Sequence, residues 1–357
     1  MRGRLAAACR PVGALVLGLA VAALVIAVTG GNPTEAFAAL GRGVFGDVPK
    51  LFATLLQKHE LHLTNEMYRT LGKATPLLFS GLAVAVALRA GLFNIGVEGQ
   101  LLVGGLVSAW IGYSVTGLPT AAHLPLALAA GMAGGALWAL LPGLLKAWRG
   151  AHEVIVTIMM NYIAIHLCHY LVTNPLLEPA ATNPNNAPRT PLVLATAQLW
   201  SAPGVPGFSA GFGLALLAAF AVSVLLRRTA LGFEIRAVGL GPEAARAAGL
   251  PVGRTLVVAM LISGALAGLA GAVEVLGNHH RYFDAFSPGY GFDSIAVALL
   301  GNLGAFGVTL SSLAFGGLAS GAITMEAYTD TPRQIAGIVQ AIVILVVGAR
   351  AVRRRAA

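Results

Sequence analysis

Residues 74–113 read ATPLLFSGLAVAVALRAGLFNIGVEGQLLVGGLVSAWIGY. Two apolar runs, ATPLLFSGLAVAVAL (74–88) and LLVGGLVSAWIGY (101–113), flank the string FNIGVEGQ (93–100), which holds Asn94, Glu98 and Gln100. Each run approaches the about 20 apolar residues that cross a bilayer as a helix. A spanning segment has to satisfy its own backbone hydrogen bonds, so the pair reads as two membrane helices with a polar break between them.

The same pattern recurs along the whole chain. Of 357 residues, 57% are hydrophobic and only 10% charged, with a mean hydropathy of +0.79. Soluble domains carry about 25% charged residues, so a water-soluble globule is excluded. Apolar runs fall near residues 12–29, 74–90, 97–116, 122–141, 152–173, 211–226, 255–276, 292–306, 309–325 and 335–350. The expectation is an all-α, polytopic membrane bundle of about ten transmembrane helices.

Lys and Arg set the orientation. Ten crossings put both termini on one side, which collects 15 basic residues, Arg2, Arg89, Lys146, Arg227, Arg236 and Arg355 among them, against 8 on the other. Both termini are therefore expected in the cytoplasm, and the net charge of +9 is a topology signal rather than a nucleic-acid footprint. Arg2, Arg4 and Arg10 before an apolar run resemble a signal peptide, but no A-x-A site follows, and an uncleaved first helix is the reading. Cys9 and Cys168 suggest neither a disulfide nor a thiolate metal site.

Two extracytoplasmic segments interrupt the spans: 31–73, with interfacial helices, and 174–210, a loop rich in Pro and Asn. On the cytoplasmic side the sizeable insertion is 227–254. The G-x-x-x-G pairs Gly131/Gly135, Gly264/Gly268 and Gly317/Gly321 favour close helix packing without indicating a function.

Polar residues at membrane depth carry the chemistry. Asn94 and Glu98 are four apart and share a helix face, while Gly91, Gly96 and Gly99 allow a break or a close backbone approach. Such a break is tolerated where it lines a cavity, so Asn94, Glu98 and Gln100 are candidates for a solute pathway. A second reading places Glu98 as favourable charge at a helix N-terminus near the cytoplasmic face. Asn161 in the fifth span is a further pathway candidate, as an amide able to donate to and accept from a nucleobase or ribose. His166 and His169 share a face but lack a third ligand at a helpful spacing, so no metal is expected. The string NHHRYFDAFSPGYGFD (278–293) lies outside by this topology and reads as a solvated turn.

The insertion reads RRTALGFEIRAVGLGPEAARAAGLPVGR. Gly241 and Pro242 start a helix, Glu243 puts negative charge in its first turn, and Gly249 with Pro251 stops it after about two turns. A helix so short needs a partner or its flanks to hold it. The string GFEIRAVGLGPEAARAAGLPVGR resembles the cytoplasmic coupling segment of permease subunits of ATP-binding-cassette importers, in the branch for simple sugars and nucleosides. The resemblance extends from about Leu71 to the last helix, through TPLLFSGLAVAVALRAGLFNIGVEGQ, HEVIVTIMMNYIA and GFDSIAVALLGNLGAFGVTLSSLAFG. Where ribose-type permeases usually carry a Gly-Ile-Asp-Leu-Ser-like string, FNIGVEGQ is similar to the nucleoside subgroup.

What the resemblance implies is a single permease domain over 1–357 in a bacterial cytoplasmic membrane. A second permease chain, different from this one, ATPase subunits and an extracytoplasmic substrate-binding protein are the implied partners. Glu243, Ala244, Arg246 and Gly249 are the residues expected to couple to the ATPase. No G-x-x-x-x-G-K-[ST] loop is present, the nearest string being Leu71-Gly72-Lys73-Ala74. The chain is thus expected to be no enzyme and to hold no cofactor, with ATP and magnesium used by the partner ATPase. A ribose-like sugar permease is the alternative. An ion-coupled carrier with Glu98 as the coupling carboxylate is weaker, and a membrane enzyme weaker still, since no nucleophile, base and orienting group stand at a recognisable spacing.

Overall fold

The structure, a computed structural model, describes residues 2–47, 64–202, 204, 207–329 and 331–342. The helices in chain order are α1 (Arg2–Val28), α2 (Pro33–Phe45), α3 (Asn65–Arg89), α4 (Val97–Ser114), α5 (Thr120–Arg149) and α6 (Glu153–Thr173). After a long connection come α7 (Gly211–Arg228), α8 (Ala230–Leu240), α9 (Pro242–Ala247), α10 (Val252–Glu274), α11 (Tyr290–Leu300) and α12 (Ala305–Tyr328). The described residues outside helices form isolated bridges, Arg189 with Phe283 and Ser201 with Ser209, so the chain is all-helical as expected.

Local chemistry explains the ends. Asn32 caps α2 by accepting from the Thr34 amide at 3.1 Å, and Thr64 caps α3 by accepting from Met67 at 3.3 Å. Gly150, at φ +65°, ends α5 in the left-handed conformation that a side chain resists.

Among the described residues six helices are long and apolar enough to cross a membrane: α3, α5, α6, α7, α10 with the following turn to His279, and α12. The expected ten is therefore not what the described residues display, and each difference has a cause. α4 has Glu98 and Gln100 in its first turn, and α11 has only 11 residues. In α1 the apolar part is Val16–Val28, and most of 335–350 lies outside the described residues, 334–342 being helical. The span expected at 74–90 starts earlier, at Asn65. Of the 31–73 segment, 33–45 is the helix α2, while 48–63 lies outside the described residues.

α3 stands at the centre, with 83% of its apolar window buried, whereas α5, α6 and α7 bury 28% each and present Leu137, Ile155, Met159, Leu217 and Phe220 outward. In lipid, helices gain little from apolar burial as such, so contact has to come from close packing. Glycine provides it where α4, α5 and α10 meet. A Cβ on Gly268 would collide with the Gly131 carbonyl of α5, one on Gly135 with the Gly264 carbonyl, and one on Gly104 with Gly268 itself. Gly321 likewise seats α12 against Leu40 and Val44 of α2. All three glycine pairs read from the sequence thus sit at helix crossings.

Candidate functional site

α3 ends at Arg89 and the chain reverses. Gly91, at φ +79°, lets the Leu92 amide reach back to the Ala87 carbonyl at 3.0 Å. Residues 92–96 then run without regular structure to the start of α4. This break lies well inside the bundle. Its bonds reach Ala83, roughly 9 Å of helix before the end of α3, and Ser263, roughly 16 Å of helix into α10.

Unpaired backbone groups at that depth are costly, and amides of the chain satisfy them. Asn94 accepts from the Gly96 amide at 3.0 Å and donates to Gln100 Oε1 and Ser263 Oγ, both at 2.9 Å. Gln100 Nε2 donates back to Asn94 Oδ1 at 3.2 Å, and the Ser263 hydroxyl donates to the Ala83 carbonyl at 2.8 Å. From α6, Asn161 donates to the Ile95 carbonyl at 2.9 Å and accepts from the Gly99 amide at 2.8 Å, stitching both sides of the break. Asn94, Gln100 and Asn161 are buried, with these polar groups turned to one another and to backbone.

Glu98 differs. It is 4% exposed, and its carboxylate accepts from the Gly291 amide at 2.6 Å. Gly291 is in the first turn of α11, where the helix dipole favours an anion. A Cβ at Gly291 would strike the Glu98 backbone, so only glycine permits this approach. The carboxylate stands at helix N-termini, and it also borders a cleft of about 420 Å³ lined by His166, His169, Tyr282, Asp284 and Ser287. His169 Nδ1 and Asp284 Oδ2 are 2.8 Å apart. Ligand pockets of about 300–1,000 Å³ are the usual size for small solutes.

The string 278–293 is not the solvated turn expected. Tyr282 is 1% exposed and Phe286 6%, packed edge to face with ring centroids 4.9 Å apart. The chain leaves α10 through a π-helical turn, Val275–His279, folds inward, and starts the half-length α11 beside Glu98. Above it, residues 174–202 form a cover: Glu178 pairs with Arg189 at 2.6 Å and with Arg281 at 2.9 Å.

On the connecting segment, α9 begins at Gly241 and Pro242 and ends at Ala248, with Gly249 at φ +82°, as its sequence requires. Glu243, Ala244, Arg246 and Gly249 are exposed, while Ala245 turns inward against Val238 and Val252. The preceding helix α8 was not legible in the sequence. It leaves Phe233 and Leu240 exposed, the latter at 91%, beside a groove of about 430 Å³ that runs along Ala237, Ala244 and Ala248. The structure thus brings Asn94, Gln100 and Asn161 to one break with Glu98 next to it, and sets Glu243, Ala244, Arg246 and Gly249, the residues expected to couple, apart on α9 and the turn after it. Ser263, Ser287 and Gly291 were missed; a lone serine in MLISGALAG and a glycine in SPGYGFD give no pattern to find.

Membrane-crossing helices around a polar break, with a short helix held out on a connecting segment, define a solute permease. The chain belongs to the permease family described as the branched-chain amino acid transport system / permease component, which residues 67–348 match. It is 42% identical to a guanosine ABC transporter permease of Bacillus subtilis, over 94% of this chain and 92% of that protein. A glucose ABC transporter permease of Haloferax volcanii is 38% identical over 76% of this chain and 73% of its own length. A nucleoside ABC transporter permease of Lactococcus lactis subsp. cremoris is 32% identical over 95% and 90%. No solved structure matches the chain. The protein is a multi-pass membrane permease.

Proposed function

We propose that the chain is the transmembrane subunit of an ABC importer that carries nucleosides into the cytoplasm. The observation that carries this reading is the likeness to the guanosine permease, which runs through nearly the full length of both chains. The glucose permease supports the second reading, a simple-sugar carrier, through a shorter match.

In this reading all of 1–357 is one permease domain, both termini are cytoplasmic, and the membrane is a bacterial cytoplasmic membrane. The solute passes the cleft at Glu98, whose carboxylate accepts hydrogen bonds from ribose hydroxyls or a base N–H, with the His169–Asp284 pair opposite. Asn94, Gln100 and Asn161 shape the pathway by holding open the break that presents Glu98. His166 and His169 lie exposed on α6 among Tyr162, Ile163 and Tyr170. Polar side chains on an otherwise apolar spanning face are costly toward lipid, which supports a second, different permease chain covering this side and completing the pathway.

ATP and magnesium act in a separate ATPase, which docks on Glu243, Ala244, Arg246 and Gly249 with the groove beside α8. An extracytoplasmic binding protein delivers the solute. Closure of the ATPase moves α9, and differential contacts in two states switch the cleft between outward and inward access. The test is ATP-dependent uptake of labelled guanosine by vesicles holding this chain, its partner permease and the ATPase and supplied with the binding protein, competed by unlabelled uridine or ribose. Competition by uridine alone is expected; competition by ribose alone would transfer the chain to the sugar carriers.

A further inference from the structure

Where α3, α7, α8 and the α11–α12 turn meet, a second cavity of about 270 Å³ is lined by Arg89, Arg227 and Arg236 together with Ser223 and Gly304. Among the described residues no carboxylate lines it. Arg89 donates through Nε and Nη2 to the Leu303 carbonyl, each at 3.2 Å, and through Nη2 to the Asn302 carbonyl at 3.3 Å. These bonds fix its guanidinium at the wall, where the C-terminal end of α3 favours a cation but no anionic partner is among its bonds. The side chains of Arg227, which is exposed, and Arg236, which is half-buried, make no hydrogen bond or ion pair with another described residue. Three like charges facing one small cavity repel one another, which costs stability unless an anion sits among them.

The cavity floor has the same sign. Gly304 and Ala305 begin α12, a helix of 24 residues with no side-chain cap, so its free amides and dipole add positive potential to that of the arginines. The turn is shaped to place them: Asn302 and Leu303 adopt φ +51° and +56°, and their carbonyls are the ones Arg89 holds. Forked guanidinium donors match the oxygens of a phosphate better than those of a lone halide.

We propose that this cavity binds a phosphate group, at the membrane level of the side assigned to the cytoplasm. Two sources offer that chemistry there, the headgroup of an anionic phospholipid and a soluble phosphate. The site joins the end of α3, which leads directly into the Glu98 break, to α8, which leads into the coupling helix.

The test uses the full chain purified in detergent, its thermal unfolding midpoint followed against phosphatidylglycerol, phosphatidylcholine and inorganic phosphate, with retained lipid counted by native mass spectrometry. Phosphatidylglycerol is expected to raise the midpoint saturably, phosphatidylcholine not. In Arg227→Gln and Arg236→Gln the half-saturating concentration is expected to rise about fivefold each, from the worth of one arginine near an anionic surface. These side chains hold nothing else, so the variants are expected to fold. Arg228→Gln, outside the cavity, is expected to respond as the parent does. A response to inorganic phosphate but not to phosphatidylglycerol, lost in the same two variants, assigns the site to a soluble phosphate. Equal loss in Arg228→Gln, an equal response to phosphatidylcholine, or parental behaviour of both cavity variants would overturn the proposal.

Discussion

Glu98 and Gly291, 193 residues apart in the sequence, are joined by a 2.6 Å hydrogen bond from the Gly291 amide to the Glu98 carboxylate. The bond ties the first turn of α4 to the first turn of α11 and fixes the carboxylate at the edge of the cleft. One side chain therefore caps a half-length helix inside the membrane, and in the proposed function it serves a second purpose, as a hydrogen-bond acceptor for a solute.

The two purposes separate on substitution. Glu98→Gln keeps an acceptor for the Gly291 amide and removes the charge, so the unfolding midpoint is expected to change little while guanosine uptake falls about tenfold, the equivalent of one lost charge-assisted hydrogen bond. Uptake assays at matched membrane abundance check this; parental uptake would reduce Glu98 to a cap.

Gly291→Ala places a methyl group against the Glu98 backbone. Pushing α11 away from α4 is expected to destabilise the fold by about 1–3 kcal/mol. A thermal melt of the purified chain reads it, and an unchanged midpoint would mean that α11 does not rest on α4.

Asn161→Ala strips partners from the Ile95 carbonyl and the Gly99 amide together. Each buried group left unpaired costs about 1–3 kcal/mol, so a loss of about 2–6 kcal/mol is expected in a melt. Asn161→Asp, which retains the acceptor for Gly99 and loses the donor to Ile95, is expected to fall between Ala and the parent.

Gly268→Val forces apart α5 and α10 at their closest approach, where Gly131 and Gly135 face it. A destabilisation of about 3 kcal/mol is expected. The equivalent change at Gly213, which a Cβ would leave free of contact, is expected to be nearly neutral.

Gly249→Val puts a β-branched residue at φ +82°. Because α9 ends in that turn, the ATPase is expected to lose its grip or to hydrolyse ATP without uptake, while the rest of the bundle melts as the parent does. Co-purification of the ATPase and the ratio of ATP consumed to guanosine imported check this.

How much of this was legible in the sequence depended on whether the signal was local. Apolar length placed the six long helices α3, α5, α6, α7, α10 and α12 but not the number of spans. Gly241-Pro242 and Gly249 bounded α9, and the glycine pairs marked the crossings, because each of these is written within a few neighbouring residues. The polar string FNIGVEGQ showed that something breaks there. Its meaning lay in partners far away: Asn161 on α6, which the sequence singled out without showing that it binds this break, and Ser263 on α10 and Gly291 on α11, neither of which stands out in its own stretch. The inward fold of 278–293 was hidden for a related reason. Its His, Arg and Asp residues look like a solvated turn, while Tyr282 and Phe286 between them supply the buried face.

The most direct test of the central claim is guanosine uptake by vesicles reconstituted with this chain, its partner permease and the ATPase and supplied with the binding protein, with and without internal ATP. Accumulation that needs ATP, survives an uncoupler and falls about tenfold in Glu98→Gln is the expected result. Uptake by this chain alone that ignores ATP and collapses with the uncoupler would contradict it and make the protein an ion-coupled carrier.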